Sequence, residues 1–213
     1  MKTRSKALLL TLCAVLLVAA SVLGTIAYLT SSDTVTNTFT VGSVAIKLDE
    51  AQANTDGTLV PNAERVKANS YKLLPGHTYN KDPMVTVLSG SEPSYVKMTV
   101  TFSKANELDA IFAPGGADLT KIFNGYDPAN WIYKGNTKNA TANTRTYEFW
   151  YKEAVGAPDG DVALDALFDS ITVPGSVTKE QLATIEGMTI TVNAYAIQAD
   201  GFADAGAAWA AFN

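Results

Sequence analysis

Apolar and polar residues alternate most strictly from Tyr95 to Phe102, where Val96, Met98, Val100 and Phe102 interleave with Tyr95, Lys97, Thr99 and Thr101. A period of two predicts a strand with one buried face. Val44, Ile46 and Leu48 repeat the pattern earlier, and Met84–Leu88 reads as a strand ahead of a Ser89–Pro93 turn. Further strands are expected over 130–134, 144–151 and 189–197, the second of them rich in aromatic rings. Residues 49–70 are polar, with Asp56-Gly57 and Pro61-Asn62, and read as a loop; Leu73-Leu74-Pro75-Gly76, Pro114-Gly115-Gly116 and Asp127-Pro128 mark turns. Helical spacing is expected over 106–112, over 161–171 through Val162, Leu164, Leu167, Phe168 and Ile171, and in the Ala-rich 203–212. Thr178 followed by Gln181 has the spacing of a capping box. Short strands at turn-punctuated intervals with few helices between them predict a mainly β chain, an antiparallel sandwich.

The first 27 residues stand apart. Lys2, Arg4 and Lys6 precede an apolar run from Ala7 to Ala27 that closes on Thr25-Ile26-Ala27. A basic start, an apolar stretch and small residues before a cut describe a secretory signal peptide, with cleavage between Ala27 and Tyr28. The run also approaches the length of a membrane anchor, but Gly24 and the small residues favour cleavage. Leu12 stands before Cys13 where a lipoprotein signal needs Gly or Ala, so Cys13 is a passive member of the leader. The chain divides as 1–27 leader, 28–43 β-prone arm and 44–213 sandwich domain. Membrane contact is expected only through the uncleaved leader.

Composition then narrows the function. Of 213 residues, 47% are hydrophobic and 17% charged, with a formal net charge of −5. Cleavage removes three of the 16 basic residues and none of the 21 acidic ones, leaving −8 on 186 residues. Such a chain binds polyanions poorly, which excludes nucleic acid as a partner. The one cysteine goes with the leader, so the mature chain has no disulfide.

Catalytic patterns are missing. His77 is the single histidine, whereas a catalytic zinc takes three protein ligands, often two or three of them histidines; beside Pro75-Gly76 it reads as a turn residue. There is no Gly-x-Ser-x-Gly elbow and no glycine-rich phosphate loop, and none of the 21 acids stands out as a hydrolase pair. Asp159, Asp161, Asp165 and Asp169 offer oxygen ligands for calcium without an EF-hand pattern, and acids opening a helix are already favoured by its dipole. No catalytic, metal or cofactor residue is therefore assigned.

Three stretches carry a resemblance. They are Gly24-Thr25-Ile26-Ala27-Tyr28-Leu29-Thr30 with Asn37–Val44; Leu74-Pro75-Gly76-His77-Thr78-Tyr79-Asn80-Lys81-Asp82-Pro83-Met84 with Ser94–Val100; and Val192–Phe202 with Ala208-Trp209. Together the chain resembles the TasA/camelysin family of Gram-positive bacteria, which is exported with a dedicated signal peptidase, SipW. Residues 104–188 match none of its motifs. The resemblance implies a jelly-roll-like sandwich, a SipW-type peptidase as processing partner, and a subunit of extracellular matrix or biofilm fibres. The camelysin name also implies a metallopeptidase, a label the residues above do not support.

The residues themselves point towards assembly. The arm freed by cleavage is β-prone and too polar to form a core alone, and a sandwich has open edges that template strand addition. Val35, Phe39 and Val41, all odd-numbered, share one face of an extended arm and would set its register on another copy. That contact does not close, so it propagates a homopolymer. Folding back as the first strand of its own domain is the other fate of the arm. An adhesin or glycan-binding module, with Tyr147–Tyr151 as contact surface, is a further alternative.

Overall fold

The computed structural model describes residues 6, 10–18, 42–112 and 123–212. The chain falls into two units, Met1–Val41 and Gly42–Asn213. In the first, residues 10–18 are helical and exposed. No helix among the described residues is long and apolar enough to cross a membrane. Ala27, Tyr28, Val35, Phe39 and Val41 lie outside the described residues, as does the Pro114–Gly116 turn.

The second unit is mainly β, with antiparallel sheets and a few short helices. Its strands are β1 (Ile46–Asp49), β2 (Thr78–Asn80), β3 (Met84–Val87), β4 (Ser91–Ser103), β5 (Trp131–Asn139), β6 (Thr144–Tyr151), β7 (Val155–Ala157), β8 (Val162–Ala163), β9 (Ser170–Thr172) and β10 (Ile190–Gln198). Helices α1 (Ala105–Phe112), α2 (Lys179–Thr184) and α3 (Ala205–Ala211) sit in connections and at the end. One sheet has the order β10-β4-β6-β5, with β7 continuing beside β4; the others are β1-β3-β8 and β2-β9.

The alternation of β4 explains the sandwich. Val96, Met98 and Val100 are fully buried and Phe102 nearly so, while the residues between them lie on the opposite face. Across β6, Tyr147 and Phe149 continue the inward face, and Val85 and Val87 of β3 meet them from the second sheet in one core. Phe123 lies at its centre, stacked on Phe168 at 4.5 Å and edge-on to Tyr147 and Phe149. The aromatic strand thus packs the core, and burial pushes the Tyr147 hydroxyl up to about 12. Of the rings proposed as a glycan-contact surface, Tyr147 and Phe149 are buried.

Most predicted elements form where expected, with two corrections. Residues 161–171 are not helical: they hold β8, an irregular stretch and the start of β9. Their backbone groups bond outward, Leu164 N–H to Val85 O and Leu167 N–H to Pro83 O, so the segment runs antiparallel along β3. Leu164, Leu167, Phe168 and Ile171 are buried, but from an extended chain. The dipole account of the acids that would open that helix, Asp159 and Asp161, falls with it. β5 continues beyond 134 to Asn139, because a bulge between Tyr133 and Gly135 shifts its register on β6 and the polar residues beyond it still find partners. At Thr178 the capping box is complete: its hydroxyl accepts the Gln181 N–H and the Gln181 side chain accepts the Thr178 N–H.

Candidate strand-accepting groove

The two outermost strands of the large sheet differ in how their open edges are treated. β5 carries Lys134, Lys138 and the bulge at Gly135, devices that discourage pairing with a further strand. Lys138 is also tied to Asp109 of α1 at 2.8 Å, and Asp109 is held by Arg145 of β6 at 2.7 Å. β10 has none of these. It runs nine residues, Ile-Thr-Val-Asn-Ala-Tyr-Ala-Ile-Gln, with no charge, glycine or proline, and among the described residues it pairs only with β4.

A groove of about 1250 Å³ opens at the start of this strand, lined there by Ile190, Thr191 and Val192. β10 supplies Ile190 and Val192, β1 supplies Leu48, and Leu73, Leu182 and Met188 close the apolar surface. Ile190 and Val192 pair with Phe102 and Val100, so their side chains share the core-facing side of the sheet. β1 and β10 come close without pairing, each the outermost strand of its own sheet. A strand laid along β10 with apolar residues at every second position would place them towards this surface.

The far wall comes from residues 67–75, part of an irregular excursion between β1 and β2. Ionic contacts hold that excursion. Arg65 places Nε 2.5 Å from Asp49 Oδ1 and Nη1 2.8 Å from Asp82 Oδ2, and Lys47 approaches Asp49 Oδ2 at 2.7 Å. Burial works to raise the Asp49 carboxyl, but hydrogen bonds and charge from Lys47 and Arg65 outweigh it and hold it below the ordinary carboxylate range. Lys81 and Glu50 form a second, buried pair at 2.5 Å. Tyr71 donates to Asn80 O at 2.6 Å, and burial with Glu50 nearby raises its hydroxyl far above the phenol range. On the rim, Lys72 and Lys179 have no ion-pair partner among the described residues. The arm carries a single charge of opposite sign, Asp33.

The candidate metal residues do not converge. His77 is exposed, with the Tyr79 ring 6.4 Å away and Asp56 near enough for its charge to be felt. Asp161 accepts the Ser89 N–H, Asp165 accepts the Tyr151 hydroxyl, Asp169 lies against Gly125, and Asp159 is exposed. Among the described residues no group of three or more His, Cys, Asp or Glu is placed to hold a metal ion. Sequence reading missed the groove, the ionic excursion and the contrast between edges; only the charge-free run at 190–198 was visible as a signal. No family model, no curated protein and no solved structure matches the chain.

Proposed function

We propose that the chain is a secreted structural protein that assembles into extracellular matrix fibres, each copy lending its N-terminal arm to the β10 edge of the next. The contrast between the charged, bulged β5 edge and the bare β10 edge beside an apolar groove carries the reading. Cleavage between Ala27 and Tyr28 by a SipW-type peptidase frees the arm. Val35, Phe39 and Val41 then enter the groove of another copy, each contributing about 1.5–3 kcal/mol on burial. Asp33 meets the lysine rim. A contact between unlike surfaces repeats without closing and gives a filament. The resemblance to TasA/camelysin proteins supports the same role.

Residues 28–213, purified and incubated, should form filaments visible by electron microscopy. Phe39→Asp should stay folded and soluble and form none. Fibres of normal length from that variant would remove the arm from the mechanism. A strictly monomeric wild-type chain would remove the function.

A further inference from the structure

We propose that Lys81 and Asn69 become joined by a side-chain amide bond formed within the folded chain, with Glu50 carrying the protons. Glu50 and Lys81 are buried, and Glu50 Oε2 lies 2.5 Å from Lys81 Nζ. The other oxygen, Oε1, accepts a hydrogen bond from Asn69 Nδ2 at 3.0 Å. One carboxylate therefore bonds both an amine and a primary amide, one on each oxygen.

The rest of the amide is also fixed. Nδ2 donates to Ala51 O at 2.8 Å, and Oδ1 accepts the Ala53 N–H at 2.9 Å. The backbone beneath is pinned by paired Glu50–Val66 hydrogen bonds of 2.9 and 2.7 Å and by Lys81 N–H to Asp169 O at 3.1 Å. The amine and the amide are thus each anchored to Glu50 by the fold, and bond formation needs Nζ to swing from Oε2 onto Cγ.

In the step itself, Lys81 Nζ gives a proton to Glu50 Oε2 and becomes a neutral amine. Its lone pair adds to Asn69 Cγ, and negative charge gathers on Oδ1, where the Ala53 N–H already points. Glu50 passes its proton to Nδ2 and takes one from Nζ as the intermediate collapses. One Nζ–Cγ bond forms, one Cγ–Nδ2 bond breaks and one ammonia leaves. Nothing is oxidised or reduced. Burying two opposite charges is costly, and the product replaces the ammonium with a neutral amide.

The bond would close the loop from 69 to 81, which contains most of the groove's far wall. It would give an exported, cysteine-free body a covalent staple of another kind, and it stands whether or not the chain polymerises.

The test is the intact mass of purified residues 28–213, with near-ultraviolet circular dichroism to confirm folding. The expected mass is below the sequence mass by one ammonia, and a proteolytic digest should contain a branched peptide linking Lys81 to Asn69. A folded wild-type chain at full sequence mass overturns the proposal. So does an ammonia loss that maps elsewhere, such as succinimide at Asn124-Gly125. Lys81→Arg should regain full mass, as should Glu50→Gln; a Glu50→Gln protein that still carries the branched peptide would strip Glu50 of its role. The wild-type measurement decides the bond even where a variant fails to fold.

Discussion

Arg65 Nε meets Asp49 Oδ1 at 2.5 Å, and the carboxylate it meets is only 2% exposed. The pair ties the end of β1 to the middle of the 50–77 excursion. Because the Asp49 carboxyl lies below its ordinary 3.8 in the folded chain, unfolding takes up a proton there. Its contribution is fully present above the unfolded value and is lost as pH falls through the folded one. Asp109 behaves alike: burial raises it, but Lys138 and Arg145 lower it further. The melting temperature should therefore hold between about pH 5 and 8 and fall below about pH 4. A midpoint that rises on acidification to pH 3 would contradict this. Arg65→Met should cost about 2–4 kcal/mol at neutral pH, since it leaves a buried carboxylate with one partner.

Phe123 lies outside every predicted element and yet sits in the middle of the core, 1% exposed and touching Phe102, Tyr147, Phe149 and Phe168. Truncation leaves a cavity among rings that cannot collapse onto one another. Phe123→Ala should lower unfolding free energy by about 3–5 kcal/mol in a urea titration. A loss under 1 kcal/mol would place this ring outside the core.

Where the sequence was legible, local pattern and tertiary role agreed. Val96 to Phe102 alternate because one face of β4 is core, and Thr178 with Gln181 closes its own cap. The misreadings came where a distant partner decided. Leu164 and Leu167 have helical spacing, but their backbone amides satisfy carbonyls beside β3. Lys138 and Asn139 look like loop residues, and β6 holds them in a strand. The groove was invisible because its surface joins Leu48, Leu73, Leu182 and Val192, whose proximity follows only from the order of the sheets.

Gly125 sits where no other residue fits. Its φ is +78°, and a Cβ there would lie 2.1 Å from Asp169 Oδ2. Asp169 is exposed and its carboxylate can turn away, but its own Cβ would still lie 2.9 Å from the added atom. Left-handed strain and the clash together should make Gly125→Ala destabilising by about 2–4 kcal/mol. Adding Asp169→Gly should recover the part due to the clash and leave the strain. A double-mutant cycle with no coupling between the two positions would refute the contact.

The two edges of the large sheet make opposite demands on a substitution. Thr191 and Asn193 are exposed on β10, on the face away from the core, so lysines there leave the packing of Val192 and Ala194 intact. They would give β10 the charge that β5 already bears at Lys134 and Lys138. The Thr191→Lys, Asn193→Lys double variant should keep the wild-type melting temperature within a few degrees and lose filament growth, read by light scattering and electron microscopy. Thr137→Lys on β5 is the matched control and should polymerise at the wild-type rate, because that edge takes no strand. If the β5 substitution stops growth and the β10 pair does not, the strand is accepted on the opposite side of the sheet.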